Sequence, residues 1–174
     1  MRANDCLRRV RYILDLSDDQ MIAVFSEAEK DVTRAQVSAW LKQEEDPDYE
    51  ECKDVVFATF LNGLINKLRG KKEGAQALPE KKLNNNLIFR KLKIAFDLQA
   101  DEILSLLVKV DLTISKHELS AFFRKSGHKH YRECKDQILR NFLMALQIQY
   151  RNDDKDEHNQ DEKSDDSSAD KITG

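Results

Sequence analysis

The chain has 174 residues, 40% of them hydrophobic and 35% charged, with only five Gly and two Pro. So few turn formers exclude an all-β protein, and no apolar run approaches the roughly 18 residues of a membrane span. The net charge of −3 is an average over unlike parts: residues 1–69 carry 10 bases and 14 acids, 84–151 carry 12 and seven, and 152–174 carry three and nine.

The first ten residues lack the apolar core of a secretory signal. Three cysteines, an odd number with no CxxC pair, fit reduced thiols. Both features lead us to expect a cytoplasmic protein with no membrane partner.

Residue i matches residue i+82 without a gap. Between Asn4 and Arg69, 16 of 66 pairs are identical, against about four expected by chance. The densest match sets Tyr49-Glu50-Glu51-Cys52-Lys53-Asp54 against Tyr131-Arg132-Glu133-Cys134-Lys135-Asp136. The expected fold is therefore all-α: two tandem pseudo-symmetric four-helix lobes, residues 1–69 and 84–151. A linker over 70–83 joins them, and a disordered acidic tail follows over 152–174.

In chain order, the first helix of each copy is expected over about 5–15 and 87–97, with Leu7, Val10 and Leu14 or Phe89, Leu92 and Phe96 inward. Asn4 and Asn86 stand where an N-cap belongs. The second helix starts at a capping box, Ser17 with Gln20, stapled by Leu16 and Met21. In its mate Leu98 and Ile103 keep the staple, but Gln99 is a poor cap. The third helix carries capping boxes in both copies, Thr33 with Gln36 and Ser115 with Glu118. Its buried sides are Val37, Trp40, Leu41 and Leu119, Phe122, Phe123. The fourth helix is expected over about 51–68 and 133–150. Gly63 there, matched by Ala145, would admit a close neighbour, since an interior glycine otherwise costs about 1 kcal/mol.

Cys52, Val56, Phe60 and Leu64 are spaced by four, as are Cys134, Ile138, Phe142 and Leu146. That spacing puts both thiols on a core stripe, where they act as small hydrophobes rather than nucleophiles. His128, His130 and Cys134 offer metal-ligand types, but their counterparts are Asp46, Asp48 and Cys52, and a thiol turned inward cannot join the histidines. No metal site and no cofactor are expected. There is also no Gly-rich phosphate loop, GxSxG, HExxH or CxxC pair, so no catalytic residues are assigned.

The remaining candidates are cationic. Arg8, Arg9 and Arg11 on the first helix are matched by Arg90, Lys91 and Lys93. The second and third helices of each unit resemble a helix-turn-helix, whose outward positions would be Arg34, Ser38 and Lys42, or Lys116, Ser120 and Arg124. Glu44, Glu45, Asp46 and Asp48 follow in the first copy and would repel a phosphate backbone. Ser126-Gly127-His128-Lys129-His130 in the second would not. The candidate phosphate or nucleic-acid contacts are thus Arg8, Arg11, Arg90, Lys91, Lys93, Lys116, Ser120 and Arg124, mainly through the second copy. The alternative is a solvated face on a non-enzymatic protein that binds a protein partner or a second copy of itself.

Several stretches carry a family resemblance: Asn4-Asp5, Arg11-Tyr12-Ile13-Leu14, Phe60-Leu61-Asn62-Gly63-Leu64-Ile65 and Arg69-Gly70-Lys71. The second copy adds Asn84-Asn85-Asn86, Ile94-Ala95-Phe96 and Arg132-Glu133-Cys134. Over about 1–151 the chain resembles the YehS-like family of uncharacterised bacterial proteins. The resemblance implies a soluble cytoplasmic bacterial protein with a tandem helical domain, and no activity, cofactor or catalytic residue. The tail from 152 departs from the family's usual short end.

Overall fold

A computed structural model describes the backbone of residues 1–165 and the side chains of residues 1–151. The described chain is all helical: α1 Ala3–Ile13, α2 Asp18–Glu27, α3 Arg34–Leu41, α4 Asp54–Arg69, α5 Asn85–Ala95, α6 Ala100–Val108, α7 Lys116–Phe122 and α8 Asp136–Asp165. Each helix of the second copy starts 82 residues after its mate.

The local signals act where they were read. Ser17 Oγ accepts the Gln20 amide at 3.2 Å while Gln20 returns the bond to the Ser17 amide. Thr33 and Gln36 do the same, and Ser115 Oγ accepts the Glu118 amide. At the poorer cap, Glu102 accepts the Gln99 amide at 2.9 Å. α1 and α5 end at matched left-handed residues, Asp15 (φ 50°) and Asp97 (φ 53°). There the Leu16 and Leu98 amides reach back to the Arg11 and Lys93 carbonyls, a Schellman stop built on aspartate rather than glycine.

Three expectations are corrected. First, Asn4 and Asn86 do not cap helices. The residue before α1 is Arg2, with no side-chain cap, and the cap of α5 is Asn84, which accepts the Leu87 amide. Asn4 is buried inside α1; it donates to the Trp40 and Glu50 carbonyls and accepts the Cys52 amide. Asn86 repeats this on Phe122, Arg132 and Cys134. Second, the fourth helices begin at 54 and 136, because residues 50–53 and 132–135 are non-helical and tied back to those asparagines. Cys52 and Cys134 thus precede their helices, and the buried stripe of α4 runs through Phe57, Phe60, Leu61 and Leu64. Third, α8 runs on to Asp165, so the backbone of 152–165 is helical where an unstructured tail was expected. That stretch has no Gly or Pro, and a helix already nucleated by packing propagates at little cost. The rest of the expected tail, 166–174, lies outside the described residues.

The repeats do not form two separate lobes. One continuous apolar core takes side chains from all eight helices, because the first helix of each copy packs on the fourth helix of the other: α5 on α4, and α1 on α8. Polar pairs repeat the exchange. The Leu83 amide donates to Asp54 (2.8 Å), as Met1 N does to Asp136 (2.8 Å). Arg69 meets Asp97 (3.0 Å), as Arg151 meets Asp15 (3.6 Å). The identities Asp15/Asp97, Asp54/Asp136 and Arg69/Arg151 are thus two halves of one two-fold interlock. Within the first copy, α2 lies so close to α4 that Gly63 faces the Val24 backbone.

Cys6, Cys52 and Cys134 are buried and unbridged. Burial pushes each thiol from its ordinary 9.0 up to about 12. A group that holds its proton more tightly when folded contributes stability that is whole below the unfolded value and fades as the folded value is passed. We expect stability to decline between pH 9 and 12. At pH 8 a thiol reagent should react with the native protein only as fast as it unfolds. Rapid titration of Cys52 or Cys134 in the native state would show that thiol to be exposed.

Candidate functional site

The eight cationic or polar candidates divide by whether the fold has already used them. Arg8 donates to the Lys42 carbonyl at 2.8 Å and pairs with Asp5. It ties the end of α3 to α1 and is spent there. Arg11 lies 3.9 Å from Asp18. Lys91, only 13% exposed, sits in the seam between α5 and α4, where it meets Asn62 (2.6 Å) and Glu80 (3.0 Å). These three do not form a common surface for a ligand.

The other five lie on the outer side of the second copy. Phe89 stacks on Phe142 and meets Phe122 and Phe123, which fixes α5 against α7. Lys93 Nζ lies 5.6 Å from the centre of the Phe123 ring. Arg90, Ser120 and Arg124 are exposed. Arg90 is the equivalent of Arg8, but the position that would supply its carboxylate, Asp5 in the first copy, is Leu87. Arg124 lies beyond the end of α7, not on its outward face, since α7 stops at Phe122. The connection after it adds Lys125, Lys129 and Arg132, all exposed. Sequence reading left Lys125 and Arg132 out of the site because they belong to no helix face. The signal was present in the contrast with Glu44 to Glu50, whose place this basic stretch takes.

Lys116 pairs with Asp101 at 3.5 Å, and Arg34 in the first copy with Asp18 and Asp19. The basic start of a recognition helix is therefore matched by carboxylates of the preceding helix in both copies. Both pairs are exposed and hold their side chains weakly.

His117, His128 and His130 gather at the same end, with ring centres 6.1 Å (117 to 130) and 5.5 Å (128 to 130) apart. The His130 amide donates to His128 Nδ1 at 3.0 Å. Cys134 is turned into the core with Sγ against the Lys135 carbonyl, away from these rings. No group of three or more His, Cys, Asp or Glu placed to hold a metal ion occurs among the described residues. No helix among them is long and apolar enough to cross a membrane.

The family described as "Protein of unknown function (DUF1456)" matches the chain twice, over residues 3–70 and 85–152. The two matches coincide with the two interlocked copies. The chain is 42% identical over 147 residues to the protein described as "Uncharacterized protein YehS" of Escherichia coli (strain K12), covering 84% of this chain and 94% of that one. No solved structure matches.

Proposed function

The chain belongs to the DUF1456 family, a family of unknown function, and from that footing we propose a non-catalytic binding protein that grips the backbone of a nucleic acid. The gripping face is the outer side of the second copy, built from Arg90, Lys93, Arg124, Lys125 and Lys129, with Ser120 as a neutral donor among them.

One observation carries this reading: duplicated positions have opposite fates. In the first copy the arginine at position 8 is paired and the loop after α3 is acidic. In the second, Arg90 has no carboxylate partner among the described residues and the loop is basic. Cations that no carboxylate among the described residues neutralises are available to phosphates, and their release of counterions makes such binding steeply salt-dependent.

The test is fluorescence anisotropy with a labelled oligonucleotide, single-stranded and duplex, over a range of salt. With about four phosphate contacts, log affinity should fall against log salt with a slope of about −3 to −4. Arg90→Glu with Arg124→Glu should weaken binding at least about tenfold, while Arg34→Glu in the first copy should leave it unchanged. Affinity that ignores both salt and the double reversal would remove the nucleic acid and leave the protein-partner reading.

A further inference from the structure

The two seams of the interlock are related by the duplication but have diverged in kind. In the seam of α4 with α5, Ala58, Ile65 and Leu87 occupy three positions whose equivalents, in the seam of α1 with α8, are Arg140, Gln147 and Asp5. At these three positions one seam is apolar. The other opens as a cleft of about 490 Å³ whose walls include Arg8, Arg9, Arg140, Asp5, Tyr12 and Gln147.

The equivalent cations Lys91 and Arg9 show what the open seam lacks. Each reaches across to the other copy's fourth helix and meets a side-chain amide oxygen, Asn62 for Lys91 and Gln147 for Arg9 (2.7 Å). Lys91 also has a carboxylate, Glu80 at 3.0 Å, supplied by the linker. The linker occurs once in the chain, and Arg9 has no carboxylate partner among the described residues. Arg140 is little better served: its nearest carboxylate, Asp136, stands at 4.0 Å and already accepts from Asn85 and Met1 N.

The geometry points to a small-anion site in this cleft: an oxyanion takes the place beside Arg9 that the Glu80 carboxylate takes beside Lys91. Four cations, the three arginines and the Met1 ammonium, against the carboxylates of Asp5 and Asp136 leave two positive charges at the cleft, which matches a dianion. Arginine forks suit a phosphate, with two parallel N–H donors to two oxygens. Tyr12, 51% exposed, offers a flat edge for whatever carries the phosphate; Arg151 covers one of its faces at 4.1 Å. The ligand class is a small phosphate monoester. The inference is of binding alone, and no reaction is assigned to the cleft. The site shares no residue with the proposed nucleic-acid face.

Isothermal titration calorimetry at low salt, with inorganic phosphate, adenosine monophosphate and succinate as probes, tests it. Phosphate and the nucleotide should each saturate one site per chain. Arg140→Gln, on a side chain 62% exposed and therefore harmless to folding, should weaken binding roughly tenfold. Arg9→Gln with Arg140→Gln should abolish it while helical content and Trp40 emission stay native. Arg90→Glu with Arg124→Glu should leave it intact, and the Arg9 and Arg140 changes should leave oligonucleotide binding intact. No saturable heat below about 10 mM phosphate or nucleotide overturns the site. So does unchanged binding in the Arg140 variant, binding lost instead with Arg90 and Arg124, or succinate binding tighter than both phosphates.

Discussion

Gly63→Ala should lower unfolding stability by about 3 kcal/mol or more, at the upper end of what overpacking one methyl group costs. A Cβ at this position would stand 2.0 Å from the Val24 carbonyl oxygen and 2.9 Å from its carbon. These are backbone atoms of α2, so no side chain can rotate out of the way and the helix itself must move. The equivalent change in the other direction, Ala145→Gly, should cost only about 1 kcal/mol, the helix-propensity difference plus a small void. Urea unfolding of the two variants measures both. Equal, small effects would mean that α2 does not lie against α4 as described.

Asn86→Ala and Asn4→Ala should each cost about 3–5 kcal/mol, because each asparagine satisfies three backbone groups at once, two through buried bonds and one through a half-buried bond. Removing Asn86 leaves the Phe122 and Arg132 carbonyls and the Cys134 amide without partners, at about 1–3 kcal/mol for each group that water cannot reach. Aspartate tests the same bonds with the shape preserved. It can accept from the Cys134 amide but cannot donate to the two carbonyls, and it buries a charge. Asn86→Asp should therefore be at least as damaging as alanine at pH 7. A tolerant position would mean that the asparagine is a surface cap after all.

The distinction between cap and clamp shows where sequence reasoning reached and where it stopped. Ser17 with Gln20 and Thr33 with Gln36 are legible because a capping box closes within four residues, and nothing distant can undo it. The close approach at Gly63 was legible because an interior glycine needs a reason. Asn4 looked like a cap because an asparagine before an apolar run usually is one; its true partners lie 36 to 48 residues away. Cys52 looked helical because its spacing to Phe60 and Leu64 imitates a stripe, whereas Asn4 accepts its amide and the helix starts only at Asp54. The exchange of first helices between copies left no local trace at all, since either pairing buries the same apolar faces.

The site follows the same rule. Arg8, Lys91 and Arg90 are alike as residue types and sit on equivalent helices. Only the fold reveals that the first two are spent on Lys42, Asp5, Asn62 and Glu80, partners up to 34 residues distant. Arg9 and Arg140 fall 131 positions apart in the sequence and meet only through the packing of α1 on α8. The charge contrast between the loops after the third helices needed no fold, being visible once the copies were aligned.

The interlock itself is most directly tested by one variant with two probes. Trp40 is the single tryptophan, buried in the first copy, while helical circular dichroism reports both. If the copies share one core, Asn86→Ala in the second copy shifts the urea midpoint of Trp40 emission as far as that of the helix signal, in one coincident transition. If Trp40 keeps its wild-type midpoint while the helix signal splits into two steps, the copies are independent lobes and the shared core is refuted.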